Sequence, residues 1–338
     1  HVLRRRQRQM CIRDSVEGKK SLSENVTLQK VVPNGPRQGL ISVEPENWRR
    51  DALVVAVELG GGTVCSSQEA RALIWAAPEK PELIQGYLSD NHDWVQLPFA
   101  GIEPFIDSLD RKRLWTCGKG VYSPAVAEHA LAMVLAMKRN LTAYARSTQW
   151  GEGVGSNLFG AKVTILGGGG IAEDIIPLLE PFKCEITVIR KRPAPLAGAD
   201  RTIQLEELRT VLPATDVLLI ALALTNETEN LIGANELKLL SESAVIVNVA
   251  RGKHIVTEDL VEALRNNEIA GAALDVTYPE PLPVDHPLWN LPNCLITPHT
   301  ANTPEMGIKL LSSRVTENVS RYRQGLDLIG CIDIDLGY

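Results

Sequence analysis

The chain has 338 residues, 44% of them hydrophobic and 22% charged, and a formal net charge of −6; this is ordinary globular composition, long enough for two domains around sizeable cores. The acidic balance excludes a nucleic-acid surface, which needs a basic face to meet phosphates. No apolar run approaches the roughly 18 residues of a membrane span, and six cysteines (Cys11, Cys65, Cys117, Cys184, Cys294, Cys331) lie without CxxC spacing. The expectation is a cytoplasmic chain with buried free thiols and no signal peptide, disulfide framework or metal site.

Residues 1–15, HVLRRRQRQMCIRDS, crowd five arginines into a stretch with little periodicity. An organelle transit peptide is disfavoured by Asp14 and the shortage of serine, so residues 1–20 read as a disordered or non-native extension. From Gly39 the pattern becomes regular. LISVEP reads as a strand, ENWRRDALVVAVELGGG as a helix ending in glycines, TVCSS as a short strand and QEARALIWAA as a mixed apolar segment. WVQLPFAG is a strand running into a turn. SPAVAEHALAMVLAMKRNL is a long helix that Ser123 can cap, with Val126, Ala130, Met133, Val134 and Met137 on one apolar face. After a polar, glycine-rich loop (150–160) come strands at VTIL, ITVI, DVLLIALA, AVIVNVA, IAGAALDV and CLITPH. Strands that are apolar throughout and alternate with helical patterns indicate a parallel sheet covered on both faces.

Within VTILGGGGIAEDIIPLLEPFKCEITVIRKRP, the run Gly167-Gly168-Gly169-Gly170-Ile171-Ala172 fits G-x-G-x-x-G/A between a strand and a helix. Gly167 permits the tight turn, Gly169 lets the backbone approach a pyrophosphate, and Ala172 sits where helix and strand pack closely. Gly170 and Ile171 open the helix, whose N-terminus faces the phosphates. Pro177 interrupts that helix and is a place for a second helical piece to start.

Three later strands end on polar side chains: Arg251, then Asp275 with Glu280, then His299. Ligands of open α/β sheets bind beyond the carboxyl ends of strands, where these residues fall. An arginine, a carboxylate and a histidine converging on a nicotinamide make a hydride-transfer site for a small 2-keto acid. Arg251 would hold the substrate carboxylate with a bidentate fork. Glu280 would accept from the His299 imidazole and favour its protonated form, and His299 would deliver the proton to the carbonyl oxygen. The plainer reading gives each a surface or loop role; their joint order favours function. His129 reads as structural or interfacial, and His92, His254 and His286 as solvated loop residues.

On these residues the sequence resembles the D-isomer-specific 2-hydroxyacid dehydrogenase family from about Leu40 onward, of the glyoxylate/hydroxypyruvate reductase kind. LPFAGIE is similar to the family's substrate loop, VAEHALAMVLAMKRN to its interdomain helix, TNETENLIGANELKLLSESAVIVNVARG and LDVTYPEPLP to the stretches carrying its Arg and Glu, and TPHTAN to that carrying its His. The resemblance implies an α/β fold of two Rossmann-like domains. A flavodoxin-like substrate domain would comprise 39–121 and 302–338, and a doubly wound NAD(P)-binding domain 122–301. It also implies substrate-carboxylate binding by the amides of Ala100 and Gly101, a nicotinamide contact from Asp275, a place for Ala250 in the cofactor site, and a homodimer through the 140–160 arm. Departures are Ala172 as the third glycine, Ala223 where proline is common, and Thr277-Tyr278 after the aspartate.

An acid about twenty residues past the glycines normally accepts from the ribose 2′-OH of NAD. Here that place is Arg190, with Lys191 and Arg192 beside it, a cationic clamp suited to a 2′-phosphate. NADP is therefore favoured over NAD, and reduction over oxidation. The expected substrate is a short 2-keto or 2-hydroxy acid. The rivals are a non-catalytic, dinucleotide-sensing corepressor-like protein and a formate dehydrogenase, the latter disfavoured because that enzyme carries an amide residue where Glu280 stands.

Overall fold

The computed structural model describes residues 37–191 and 194–334. The expected N-terminal extension, Cys11, Arg192 and the last four residues lie outside them. Two wholly parallel sheets organise the chain. The first has strands β1 (Leu40–Glu44), β2 (Thr63–Val64), β3 (Ala72–Trp75), β4 (Trp94–Gln96) and β5 (Leu114–Thr116) in the order β2-β1-β3-β4-β5, the flavodoxin-like arrangement. The second runs β12-β11-β10-β9-β6-β7-β8. Its strands are β6 (Lys162–Leu166), β7 (Glu185–Ile189), β8 (Arg201–Ile203), β9 (Val217–Ile220), β10 (Val245–Asn248), β11 (Gly271–Leu274) and β12 (Cys294–Ile296). Strand order reverses between β6 and β9, the switch point at which doubly wound sheets open a ligand crevice.

The apolar runs are explained by two-sided burial. In β9, Val217 and Leu219 enter one core and Leu218 and Ile220 the other. One face is covered by α2 (Ser123–Lys138) and α4 (Gly170–Leu179), through Ala127, Ala130, Ala172 and Ile175. The opposite face is covered by α5 (Leu208–Val211), α6 (Ala234–Leu237) and α7 (Thr257–Arg265). A short helix, α3 (Leu141–Arg146), follows α2. Over the first sheet lie α1 (Arg50–Leu59) and the returning C-terminal α8 (Pro304–Gln324), which share a core of Leu53, Val57, Leu311, Val315 and Val319. The chain therefore passes between the sheets twice, before α2 and before α8.

Several local expectations are corrected. Ser123 does not cap α2: Tyr122 is the N-cap, and Ser123 is buried as the first helical residue. The mixed segment QEARALIWAA contains the buried strand β3. Pro177 does not restart a helix; α4 carries it on its exposed side, where water can serve the carbonyl that the proline leaves unpaired. His92 and His254 are not solvated, being 3% and 0% exposed, and burial pushes both imidazoles below their ordinary range. Of the five described thiols Cys117 and Cys294 are buried, whereas Cys331 is exposed.

Candidate active site

Strand register gathers the site. Leu166 pairs with Ile189 and Ile220, Ile220 with Asn248, Asn248 with Leu274, and Leu274 with Ile296. Six strands therefore end in one row. The residues just beyond that row are Gly167, Arg190, Ala221, Ala250-Arg251, Asp275 and Thr297-Pro298-His299, so segments far apart in sequence meet along one edge.

At the β6 end, Gly167 has φ +109°, and a Cβ there would lie 2.5 Å from the Ala221 carbonyl oxygen, which leaves glycine as the residue that fits. Gly170 packs against the Ser123 hydroxyl. A Cβ on Gly169, the N-cap of α4, would meet nothing within 4 Å. The turn is thus closed behind and open in front of the α4 N-terminus, a cradle that fits a pyrophosphate. Ile171 is half-buried and Ala172 fully buried in the helix–sheet contact. Arg190 lies over Gly168, where a Cβ would stand 2.7 Å from its Cδ. Lys191 pairs with Glu227 at 3.4 Å, both side chains exposed.

Beyond β12 the His299 backbone is left-handed, with φ +50°, a conformation that costs on the order of 1–3 kcal/mol in a non-glycine residue. It is held from behind. The His299 amide donates to the Asp275 carbonyl at 2.8 Å, and the amides of Thr300 and Ala301 donate to the Asp275 carboxylate at 2.9 and 3.1 Å. The Thr297 hydroxyl donates to Asp275 Oδ1 at 2.6 Å, so the 3.1 Å contact between His129 Nε2 and Thr297 Oγ1 is a bond in which the imidazole donates. Burial pushes the Asp275 carboxyl up, but its bonds from His129, Thr297, Thr300 and Ala301 outweigh this and hold it below its ordinary value.

The geometry brings the expected residues together. His299 Nδ1 donates to Glu280 Oε1 at 2.6 Å. That bond, opposed by partial burial, raises the imidazole above its ordinary pKa and lowers the carboxyl. Arg251 follows β10 with its Nη1 donating to the Ala250 carbonyl at 2.7 Å, and its Nη2 lies against Gly101, where a Cβ would make the guanidinium shift. Ala100 is exposed and Gly101 half-exposed beside it, in a loop braced by the Tyr122 hydroxyl bonding the Pro98 carbonyl at 2.5 Å. His129, Thr297, Tyr122 and Glu103, which accepts from Arg251, escape sequence reasoning because each acts through a partner remote in sequence.

A family profile described as D-isomer specific 2-hydroxyacid dehydrogenase, NAD binding domain, matches residues 131–301, half of the chain. The chain belongs to the D-isomer specific 2-hydroxyacid dehydrogenase family. This is a family of NAD(P)-dependent oxidoreductases, and the two parallel sheets are its two Rossmann-like domains. The dehydrogenase is 38% identical over 272 residues to an uncharacterised protein in the proB 3′ region of Corynebacterium melassecola, covering 78% of this chain and 88% of that one. It is 33% identical over 218 residues to a glyoxylate reductase of Aeropyrum pernix, covering 61% of this chain and 65% of the other, just under two thirds. Among solved structures it superposes on a D-isomer specific 2-hydroxyacid dehydrogenase from Xanthobacter autotrophicus in complex with NADPH and MES. That likeness has a TM-score of 0.76 and 25% identity, and it covers 90% of this chain and 100% of that one.

Proposed function

We propose that the protein reduces a short 2-keto acid, of the glyoxylate or hydroxypyruvate type, to the D-2-hydroxy acid with NADPH. The observation that carries this reading is the 2.6 Å Glu280–His299 pair on the same row of strand ends as Arg251 and the glycine cradle. NADPH, when bound, would supply the hydride that the carbonyl carbon takes up. The Arg251 guanidinium and the amides of Ala100 and Gly101 bind the substrate carboxylate and orient the carbonyl. His299, protonated through its bond to Glu280, gives its Nε2 proton to the carbonyl oxygen, and the imidazole is left neutral. Asp275 keeps the His299 turn in its left-handed conformation and retains acceptor capacity at Oδ2 for a nicotinamide amide.

Gly167, Gly169, Gly170, Ile171 and Ala250 line the dinucleotide side. Arg190 and Lys191, at the end of β7, are suited to the 2′-phosphate, and the NADPH complex of the Xanthobacter relative supports NADP as the cofactor; Arg192, outside the described residues, belongs to the same proposed clamp. On this reading 39–121 with the segment after 301 form the substrate side and 122–301 the cofactor side. The 140–160 arm, a largely polar and glycine-rich stretch that nonetheless exposes Trp150, Val154 and Phe159, is the surface of a homodimer. A corepressor-like, dinucleotide-sensing role is compatible with the same pair, and turnover separates the two readings. Absorbance at 340 nm tests the reading. NADPH is expected to be consumed with glyoxylate or hydroxypyruvate, faster than NADH is; no consumption with any short 2-keto acid would sink it.

A further inference from the structure

Glu103 has no part in the reaction as drawn, yet it touches the residue assigned to the substrate. It opens a 3₁₀ helix, Glu103–Ser108, two residues after Gly101 on the side of the first sheet. From there it reaches Arg251, beyond β10 of the second sheet. Its Oε1 accepts from Nε at 3.0 Å and its Oε2 from Nη2 at 3.5 Å. On the other side of the same guanidinium, Nη1 is held by the Ala250 carbonyl at 2.7 Å. A planar guanidinium offers two paired edges, Nε with Nη2 and Nη1 with Nη2. Glu103 takes Nε and one Nη2 proton and the Ala250 carbonyl takes one Nη1 proton, so one N–H on each of Nη1 and Nη2 is left for the substrate carboxylate of the proposed reaction. The two side chains are 36% and 40% exposed, and a pair so wet gains little from attraction alone. Its effect is therefore on geometry: five donors that could point anywhere in the cleft are fixed in one plane.

We propose that Glu103 is the positioning residue for Arg251, supplied from the opposite wall of the cleft, so that the arginine is aimed only when the two walls are together. This rests on the proposed reduction of a 2-keto acid. It distinguishes aim from charge, because a glutamine at 103 still accepts from Nε whereas an alanine does not.

Steady-state kinetics with glyoxylate and NADPH, and the rate at which phenylglyoxal labels Arg251 in the substrate-free protein, are measured for wild type, Glu103→Gln and Glu103→Ala. With peptide mass spectrometry as readout, Arg209 serves as the reference. Glu103→Ala is expected to lower kcat at least about tenfold with little change in KM for NADPH and to label Arg251 at least about fivefold faster. Glu103→Gln should stay within about threefold of wild type in both. Equal losses in Gln and Ala would make the role one of charge and overturn the proposal, as would higher kcat/KM in both, which marks a mere competitor for Arg251. If the wild type reduces no keto acid, the reaction fails, and the Arg251 labelling ratio still decides Glu103: equal labelling in all three proteins overturns it.

Discussion

In the proposed reaction His299 is the proton donor, and the largest cause of its raised pKa is one neighbour. The Glu280 carboxylate accepts from Nδ1, and this bond raises the imidazole above its ordinary range and lowers the carboxyl, with burial opposing both. The sign for activity follows. A proton donor must be charged, so the reductive rate is sustained at low pH and falls as pH rises through the raised His299 value. Glu280→Gln removes the largest cause of that shift, so the descending limb of kcat/KM should move to lower pH; an unmoved limb would remove Glu280 from the pair. Arg251, Glu280 and His299 were legible in the sequence because each follows an apolar strand in an order that chance rarely produces. Glu103, His129 and Tyr122 were not. Their partners Arg251, Thr297 and Pro98 lie far along the chain, so nothing local marks the contact, and buried His254 looked like a loop histidine until its ring nitrogens met the Thr228 and Leu222 carbonyls.

The glycine turn between β6 and α4 separates folding from binding at the scale of an element. Gly167→Ala places a Cβ at φ +109° and 2.5 Å from the Ala221 oxygen, so it should destabilise the protein by more than about 1 kcal/mol and lower Tm. Gly169 has φ −97° and open space before it, so Gly169→Ala should leave Tm nearly unchanged, within about 0.5 kcal/mol, while weakening NADPH binding at least about tenfold as its methyl enters the cradle. Scanning calorimetry and fluorescence titration on the two variants read these outcomes; a Gly169→Ala protein that binds NADPH like the wild type would show that the cradle faces no phosphate. Most strands and the helices α1, α2 and α4 were legible from apolar runs and helical periodicity. The strands β5 and β8 escaped because charged residues sit directly against them, Arg111-Lys112-Arg113 before β5 and Asp200-Arg201 at β8, so no apolar run marks them and pairing with a neighbour defines them.

The whole molecule is two parallel sheets with the chain passing between them twice, a layout that the α/β alternation and the return of α8 make intelligible. Arg251, Glu280 and His299 come from the second sheet and Ala100, Gly101 and Glu103 from the first, so the proposed reaction needs both walls of the cleft. At the rim, Arg190→Asp should weaken NADPH at least about tenfold, by losing a charge-assisted bond and adding repulsion, and should spare NADH; equal affinities for both cofactors in the wild type would mean that the basic side chains face water. The central claim is that this cleft transfers a hydride to a keto acid with His299 as the acid. A single-turnover experiment tests it most directly, mixing the NADPH-loaded protein with excess glyoxylate and following absorbance at 340 nm for the wild type and His299→Ala. The account predicts loss of one equivalent of NADPH per site in the wild type and a rate about 10²–10⁴ times slower in the variant at unchanged NADPH affinity. Equal rates in the two proteins, or bound NADPH that glyoxylate and hydroxypyruvate leave untouched, would contradict it.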